Sequence, residues 1–215
     1  MNDPMREARG AIFDLDGVIV DTARFHYFGW RRLADELGFI FTPADNERLK
    51  GVSRARSLEI LLEIGGLTAG AGSKHVWMER KNGWYVDAIT QLTEADLLPG
   101  ARDYLLRLRK EGRRIALGSA SKNAPLILSR LGIADLFDAV IDGNKVAQAK
   151  PDPEVFLRAA AELLLSPADC VVFEDAAAGV EAARRAGMRV VGVGDPAVLR
   201  DADVVIDGFG ALTAA

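Results

Sequence analysis

Short runs of apolar residues, each bounded by glycine, aspartate or serine, recur along the chain and predict buried strands of a parallel sheet. They are brief and rich in β-branched residues, and from residue 100 onward they alternate with stretches of helical periodicity. This alternation is typical of a doubly wound α/β fold with a Rossmann-like core. The predicted strands are residues 11–13, 114–118, 139–142, 170–173 and 189–193, with 204–206 as a sixth candidate.

A long helical segment interrupts this pattern directly after the first strand. In residues 22–98, His26, Trp30, Leu33 and Leu37 recur on one helical face, and further helices are indicated around residues 58–62 and over 77–92. The glycine-rich residues 65–73 predict a flexible link between helices. We therefore predict a core domain of residues 1–21 and 99–215 and an inserted all-helical cap domain of residues 22–98. The two backbone crossings between them form a natural hinge.

Composition excludes several classes of function. Lys and Arg number 27 against 31 Asp and Glu, a net charge of −4, which does not suit a protein that binds nucleic acid. No apolar stretch is long enough to span a membrane, and residues 1–6 lack the apolar core of a secretory signal. Cys170, the single cysteine, lies in an apolar run and is interpreted as a buried residue in a reducing compartment. We expect a cytoplasmic protein, and a monomer, since no long apolar surface stripe remains once the core is assigned.

Side chains that can hold a metal ion or a phosphoryl group follow four of the predicted strands. In chain order they are Asp14 and Asp16, then Ser119, then Lys150, then Glu174 and Asp175. Because the carboxyl ends of parallel strands meet at one edge of the sheet, we expect these groups to share a cleft. Clustered carboxylates repel one another unless a cation offsets them, and oxygen ligands without Cys or His favour Mg²⁺. Taken singly, the first pair also fits an ordinary Asp-Gly turn, and Lys150 a solvated surface lysine.

These four motifs, in this order, resemble the haloacid dehalogenase-like phosphotransferase superfamily. The resemblance implies that the Asp14 carboxylate attacks phosphorus to give an aspartyl phosphate, and that Asp16 acts as general acid and base. It implies that Ser119 and Lys150 hold the transferring phosphoryl oxygens. It also implies a Mg²⁺ site formed, directly or through water, by Asp14, the backbone carbonyl of Asp16, Glu174 and Asp175.

A second set of motifs narrows this resemblance. DGVIVDTA from residue 16, His26, KGVSR from residue 50, RKN from residue 80 and SASKN from residue 119 together resemble the β-phosphoglucomutase family. Arg54, beside a helix start with Ser53 as its N-cap, suits a phosphate, although singly it also fits an ordinary first-turn arginine. Residues 121–123 open another helix on the core side, so two helix starts face each other across the cleft. The predicted substrate-binding residues are Gly51, Val52, Ser53, Arg54, Ser57, Asn82, Ala120, Ser121, Lys122 and Asn123.

His26 has two interpretations. It lies on the same helical stripe as Trp30, so a core histidine with satisfied hydrogen bonds is the simpler one. The family resemblance instead implies that His26 and Lys81, with Thr22, control the placement of Asp16 as the cap closes.

The resemblance implies a Mg²⁺-dependent phosphomutase that acts on small sugar phosphates. It would interconvert β-D-glucose 1-phosphate and D-glucose 6-phosphate through β-glucose 1,6-bisphosphate. A sugar-phosphate phosphatase would use the same four motifs, and the two differ in whether Asp16 is aligned before the acceptor sugar arrives. A non-catalytic phosphosugar-binding module would lack one of the carboxylates. A phosphonate-cleaving relative would need a cap lysine that forms an imine, for which Lys50 and Lys81 are available.

Overall fold

A computed structural model describes residues 4–213 and contains one six-stranded sheet in which every pair of neighbouring strands is parallel. The strand order is β3-β2-β1-β4-β5-β6, the arrangement of a doubly wound α/β sheet, which confirms the predicted fold class. All six predicted strands are present, with ends that differ by at most one residue. They are β1 (Gly10–Phe13), β2 (Arg114–Gly118), β3 (Ala139–Ile141), β4 (Cys170–Glu174), β5 (Arg189–Val193) and β6 (Val204–Ile206).

Helices cover both faces of this sheet, so the interior strands are buried on both sides. On β1, Ala11 and Phe13 pack into the cluster that contains Tyr104, while Ile12 packs on the opposite face with Phe156. Both faces of a strand this short are apolar, which is why the strands appear in the sequence as continuous apolar runs. The helices of the core are α5 (Ala101–Lys110), α6 (Ala124–Arg130), α7 (Glu154–Glu162), α8 (Ala177–Arg185) and α9 (Gly210–Thr213).

Residues 22–98, the helical insert, pack around a cluster of their own that includes Trp30, Leu33, Leu58 and Leu61. Their α-helices are α1 (Ala23–Leu37), α2 (Pro43–Asn46), α3 (Arg54–Ile64) and α4 (Ala71–Ile89). The predicted flexible link is wrong at its end, because residues 71–73 already belong to α4. Gly70 has an extended backbone and takes the N-cap position, and the small residues after it are tolerated in a first helical turn. The boundaries of a separate cap domain remain a prediction.

The two chain crossings between sheet and insert lie side by side. Val20 and Leu97 form an antiparallel bridge, and the Leu98 amide donates to the Ile19 carbonyl at 2.9 Å. Arg24 pairs with Asp96 across the same junction, with 3.2 Å between Nη2 and Oδ1. The crossings therefore form a short paired connection. None of the helices between residues 4 and 213 is long and apolar enough to cross a membrane.

Candidate active site

The carboxyl ends of β1 and β4 lie next to each other where the strand order reverses, the position at which α/β sheets bind ligands. Phe13 and Phe173 are partners in the register of these strands, so Asp14 and Glu174 emerge side by side. The Asp14 amide donates to the Phe173 carbonyl at 2.9 Å, which fixes the backbone where the side chain departs. Ser119 follows β2 on the other side of β1. The predicted strand ends thus converge.

Lys150 is buried between two of these carboxylates. Its Nζ lies 2.5 Å from Asp14 Oδ1 and 3.4 Å from Glu174 Oε1, and it sits 4.7 Å from the centre of the Phe156 ring. Burial alone would lower the pKa of Lys150, but Asp14 and Glu174 outweigh it and raise that pKa above 10.5. Lys150 is therefore a permanently charged ammonium beside the Asp14 carboxylate, and not a solvated surface lysine.

Asp14, Glu174 and Asp175 form an acidic cluster in which each residue offers an oxygen within 4.8 Å of the other two. Glu174 is fully buried, and its Oε2 has no hydrogen-bond partner among residues 4–213. Burial raises the pKa of Glu174 well above 4.5, and burial with the Asp14 charge raises that of Asp175 to about 7. A set of hard oxygen ligands with one orphaned buried oxygen fits a divalent cation such as Mg²⁺.

Two glycines make room for this cluster. A Cβ at Gly179 would lie 1.5 Å from Glu174 Oε1, and a Cβ at Gly17 would lie 2.1 Å from Asp175 Oδ2. Gly17 also has φ of +82°, a conformation that glycine adopts without strain. The acidic side chains therefore pack against the glycine backbone. Any side chain at either glycine position would collide with them.

Asp16 lies on the side of the site that faces the insert, and several groups of the insert meet its carboxylate. The Thr22 hydroxyl donates to Asp16 Oδ1, the Tyr85 hydroxyl donates to the same oxygen at 3.5 Å, and His26 Nε2 is 3.9 Å away. Burial and the nearby Asp14 charge raise the pKa of Asp16 to about 6. A carboxyl group with that pKa is well placed to exchange protons near neutral pH.

Lys81 is a buried lysine behind His26. Its Nζ lies 2.7 Å from His26 Nδ1 and sits over the rings of Trp30 and Tyr85, at 4.8 and 4.7 Å from their centres. Burial lowers the pKa of Lys81 to about 7, and burial with the Lys81 charge lowers that of His26 well below 6.5. The structure thus places a Lys81–His26 pair against Asp16, whereas the simpler interpretation had His26 as a core residue.

A second polar group lies at the far end of the site and joins the insert to the core. Arg54 Nη2 donates to Asn82 Oδ1 at 2.7 Å, and Asn123 Nδ2 donates to the same oxygen at 3.1 Å. Ser53 is the N-cap of α3, as predicted, and accepts from the Arg56 amide. On the core side, α6 begins at Ala124, after residues 121–123. The two predicted helix starts therefore meet through Asn82.

One cavity of about 750 Å³ connects these groups. Of the predicted site residues, Thr22 and Glu174 do not line it. Those that do are Asp14, Asp16, His26, Gly51, Val52, Ser53, Arg54, Ser57, Lys81, Asn82, Ser119, Ala120, Ser121, Lys122, Asn123, Lys150 and Asp175. Gly51, with φ of +71°, approaches the core so closely that a Cβ there would lie 3.1 Å from that of Ala176.

Among the lining residues that sequence reasoning missed, Tyr85 and Glu79 contact predicted site residues directly. Tyr85 follows Lys81 by four residues on α4, the spacing at which helical side chains meet, and this could have indicated its place. Its ring stacks on His26 with 4.0 Å between centres. Glu79, an exposed residue that lines the cavity, pairs with Arg54 at 3.3 Å. Nothing in its sequence context distinguishes it from a solvated surface charge.

The doubly wound core, helical insert and acidic strand ends are those of the haloacid dehalogenase-like phosphotransferases. The chain belongs to the haloacid dehalogenase-like hydrolase family, which matches residues 8–187, and the predicted resemblance is confirmed. It is 47% identical over 200 residues to the β-phosphoglucomutase of Bacillus subtilis (strain 168), covering 92% of this chain and 88% of that protein. It is also 33% identical over 187 residues to a phosphorylated carbohydrates phosphatase of Thermotoga maritima, covering 85% and 83% of the two chains. Its fold is similar to the crystal structure of β-phosphoglucomutase from Clostridium difficile, with a TM-score of 0.92, 42% identity and coverage of 95% and 93%.

Proposed function

We propose that this protein is a β-phosphoglucomutase that interconverts β-D-glucose 1-phosphate and D-glucose 6-phosphate. The observation that carries the proposal is that one cavity has two separate groups of cationic and amide side chains whose chemistry suits phosphoryl groups. One end has Lys150 beside Asp14, and the other has Arg54, Asn82 and Asn123. A sugar bisphosphate has two phosphoryl groups and needs both ends at once. The similarity to β-phosphoglucomutases over most of the chain supports the same assignment.

In this proposal Asp14 carries the phosphoryl group. An oxygen of its carboxylate attacks phosphorus of a sugar phosphate, the bond between phosphorus and the sugar oxygen breaks, and an aspartyl phosphate remains. In the other direction, a sugar hydroxyl oxygen attacks phosphorus and the Asp14 carboxylate is released. Lys150 and Ser119 stabilise the charge that develops on the phosphoryl oxygens. Transfer to one hydroxyl, turnover of the bisphosphate and return of the other phosphoryl group give a net isomerisation.

Asp16 moves the proton in each transfer. It gives a proton to the sugar oxygen that leaves phosphorus and takes one from the hydroxyl that attacks, which suits a carboxyl group with a pKa of about 6. Thr22 and Tyr85 both donate to its Oδ1, so the proton acceptor is engaged by the insert. A sugar that enters under the insert can release it, whereas a water molecule brings no comparable contacts.

A divalent cation, Mg²⁺ by the chemistry of its ligands, would be held by Asp14, Glu174 and Asp175 together with the backbone carbonyl of Asp16. When bound, it supplies positive charge that offsets the phosphate and the clustered carboxylates. Gly179 and Gly17 keep the side chains of Glu174 and Asp175 in the place where they can serve as ligands.

A sugar-phosphate phosphatase is the second candidate, and the similarity to the Thermotoga maritima phosphatase favours it. The same groups would form the aspartyl phosphate, and water in place of a sugar would then cleave it. The contacts that engage Asp16 support the mutase, because a phosphatase needs its base ready for water. A non-catalytic binding module is disfavoured, since Asp14, Asp16, Glu174 and Asp175 are all present and converge.

The experiment supplies β-glucose 1-phosphate, Mg²⁺ and a trace of β-glucose 1,6-bisphosphate, and it follows glucose 6-phosphate and free phosphate separately. We expect glucose 6-phosphate to predominate and an alkali-labile phosphoryl group to appear on the protein. Asp14→Asn should abolish both. Asp21→Asn, the same change at an exposed aspartate of the same loop, should leave both intact. Predominant release of free phosphate would replace the mutase by the phosphatase. A cytoplasmic location and a monomeric state remain predictions.

A further inference from the structure

The Arg54 guanidinium contacts two side chains, the neutral amide of Asn82 and the carboxylate of Glu79. Nη2 donates to Asn82 Oδ1 at 2.7 Å, and Nη1 lies 3.3 Å from Glu79 Oε1. Both partners come from α4, three residues apart and thus on one helical face. The Arg54 side chain is 22% exposed and that of Glu79 is 58% exposed, so Glu79 can leave for solvent while Arg54 stays.

The edge of a guanidinium that carries its two Nη atoms is a preferred face for bidentate contact with a phosphoryl group. In this structure Nη1 already contacts the Glu79 carboxylate, and Nη2 donates to the neutral Asn82. A phosphoryl group that binds Arg54 must therefore displace Glu79 or lie against it as a like charge. Burial lowers the pKa of Arg54 and the Glu79 charge opposes this, so the two groups are electrostatically coupled.

We propose that Glu79 is an exchangeable internal anion that occupies Arg54 until the non-transferring phosphoryl group of a sugar phosphate replaces it. The inference rests on the proposed function and adds a specificity-determining residue to it. Glu79 takes no part in phosphoryl transfer. It weakens the hold of Arg54 on a phosphoryl group and stabilises the arginine when that group departs.

Such a residue has a use in a mutase. The bisphosphate must let go of Arg54 and bind again with its two phosphoryl groups exchanged, and tight binding at Arg54 would oppose that step. An anion tethered beside the arginine lowers the cost of release, because the partly buried guanidinium is never left without an anionic partner. A hydrolase that binds its substrate once has no such requirement.

The test compares Glu79→Gln, which removes the charge and keeps the shape, with Asp87→Asn. Asp87 is an exposed residue on the same helix, eight positions on and so about 12 Å farther along the axis, and its variant changes the net charge equally. The dissociation constant of glucose 6-phosphate is measured by calorimetry for both variants and the unaltered protein. We expect Glu79→Gln to bind about threefold more tightly, the size typical of a half-exposed ion pair, and Asp87→Asn to bind as the unaltered protein does.

Turnover supplies a second readout that a merely structural role would not change. We expect Glu79→Gln to lower KM for β-glucose 1-phosphate and to lower kcat as well, because release of the bisphosphate slows. Unchanged or weaker binding by Glu79→Gln would overturn the inference, and so would equal tightening by Asp87→Asn. A protein that binds no glucose 6-phosphate at all would instead refute the proposed function, and this inference would fall with it.

Discussion

Replacing Lys81 by methionine should make the protein more stable at neutral pH. Lys81 is 2% exposed, and burial lowers its pKa from 10.5 to about 7. That difference corresponds to about 5 kcal/mol of unfavourable free energy when the buried lysine is charged. Its contacts with Trp30, Tyr85 and His26 offset part of this, at about 1 kcal/mol each. A net gain of about 2 kcal/mol is therefore expected for Lys81→Met at pH 6.5.

The gain in stability from Lys81→Met should depend strongly on pH. Between pH 7 and 10.5 the unfolded chain keeps the Lys81 proton while the folded protein has lost it, so the stability of the unaltered protein rises with pH in that window. The advantage of Lys81→Met should thus shrink by about 2.5 kcal/mol from pH 6.5 to pH 9. Loss of the Lys81 charge also raises the pKa of Asp16 further. This also makes the stability advantage of Lys81→Met smaller as the pH rises.

Urea denaturation at several pH values between 6.5 and 9 measures the difference directly. Lys74→Met is the matched control, since Lys74 lies on the same helix, is only partly buried and pairs with Glu59. Its difference from the unaltered protein should change little with pH. A Lys81→Met difference that is equally flat, or that grows with pH, would refute the burial of a charged lysine as its cause.

Two further substitutions test the packing of the site and the backbone strain after α7. Gly179→Ala places a Cβ on Glu174 Oε1 and should lower turnover more than tenfold, measured by glucose 6-phosphate formation, whereas Gly83→Ala, where a Cβ meets nothing within 4 Å, should leave turnover unchanged. Equal activity of the two variants would show that turnover does not depend on the close packing of Glu174 against Gly179. Leu164→Gly relieves a φ of +58° at an 88% exposed leucine after α7 and should raise stability by about 0.5 kcal/mol in urea denaturation; a loss would show that the leucine is not strained.

The sequence predicted the sheet almost residue by residue, because a parallel strand buried on both faces must be a continuous apolar run. It predicted the start of α4 poorly. Gly70 and Gly72 have low helix propensity, and the packing of Trp77 and Trp84 into the cluster of the insert outweighs that preference. The strands can be predicted because burial on both faces requires apolar residue types. The start of α4 depends on contacts with other segments, which the local sequence does not show.

The residues of the site also differ in how far the sequence predicts them. Asp14 and Glu174 could be placed together from sequence, since parallel strands bring their carboxyl ends to one edge. Tyr85 is indicated only by its four-residue spacing from Lys81 on α4. Glu79 could not be assigned, because an exposed helical glutamate has an ordinary structural role in most proteins. Their importance depends on the residues opposite them, which are Asp16 for Tyr85 and Arg54 for Glu79. Those pairs form only in the folded protein, where α4 packs against α1 and α3.

The charges on the two sides of the cavity are complementary to a phosphorylated sugar and a metal ion together. The core side presents a surplus of carboxylates, of which Lys150 offsets one, and a divalent cation is the natural complement. The insert side presents Arg54 and Lys81, and their positive charges are matched by the carboxylates of Glu79 and Asp16. A phosphoryl group that binds Arg54 therefore takes the place of the Glu79 carboxylate and does not fill a vacant charge.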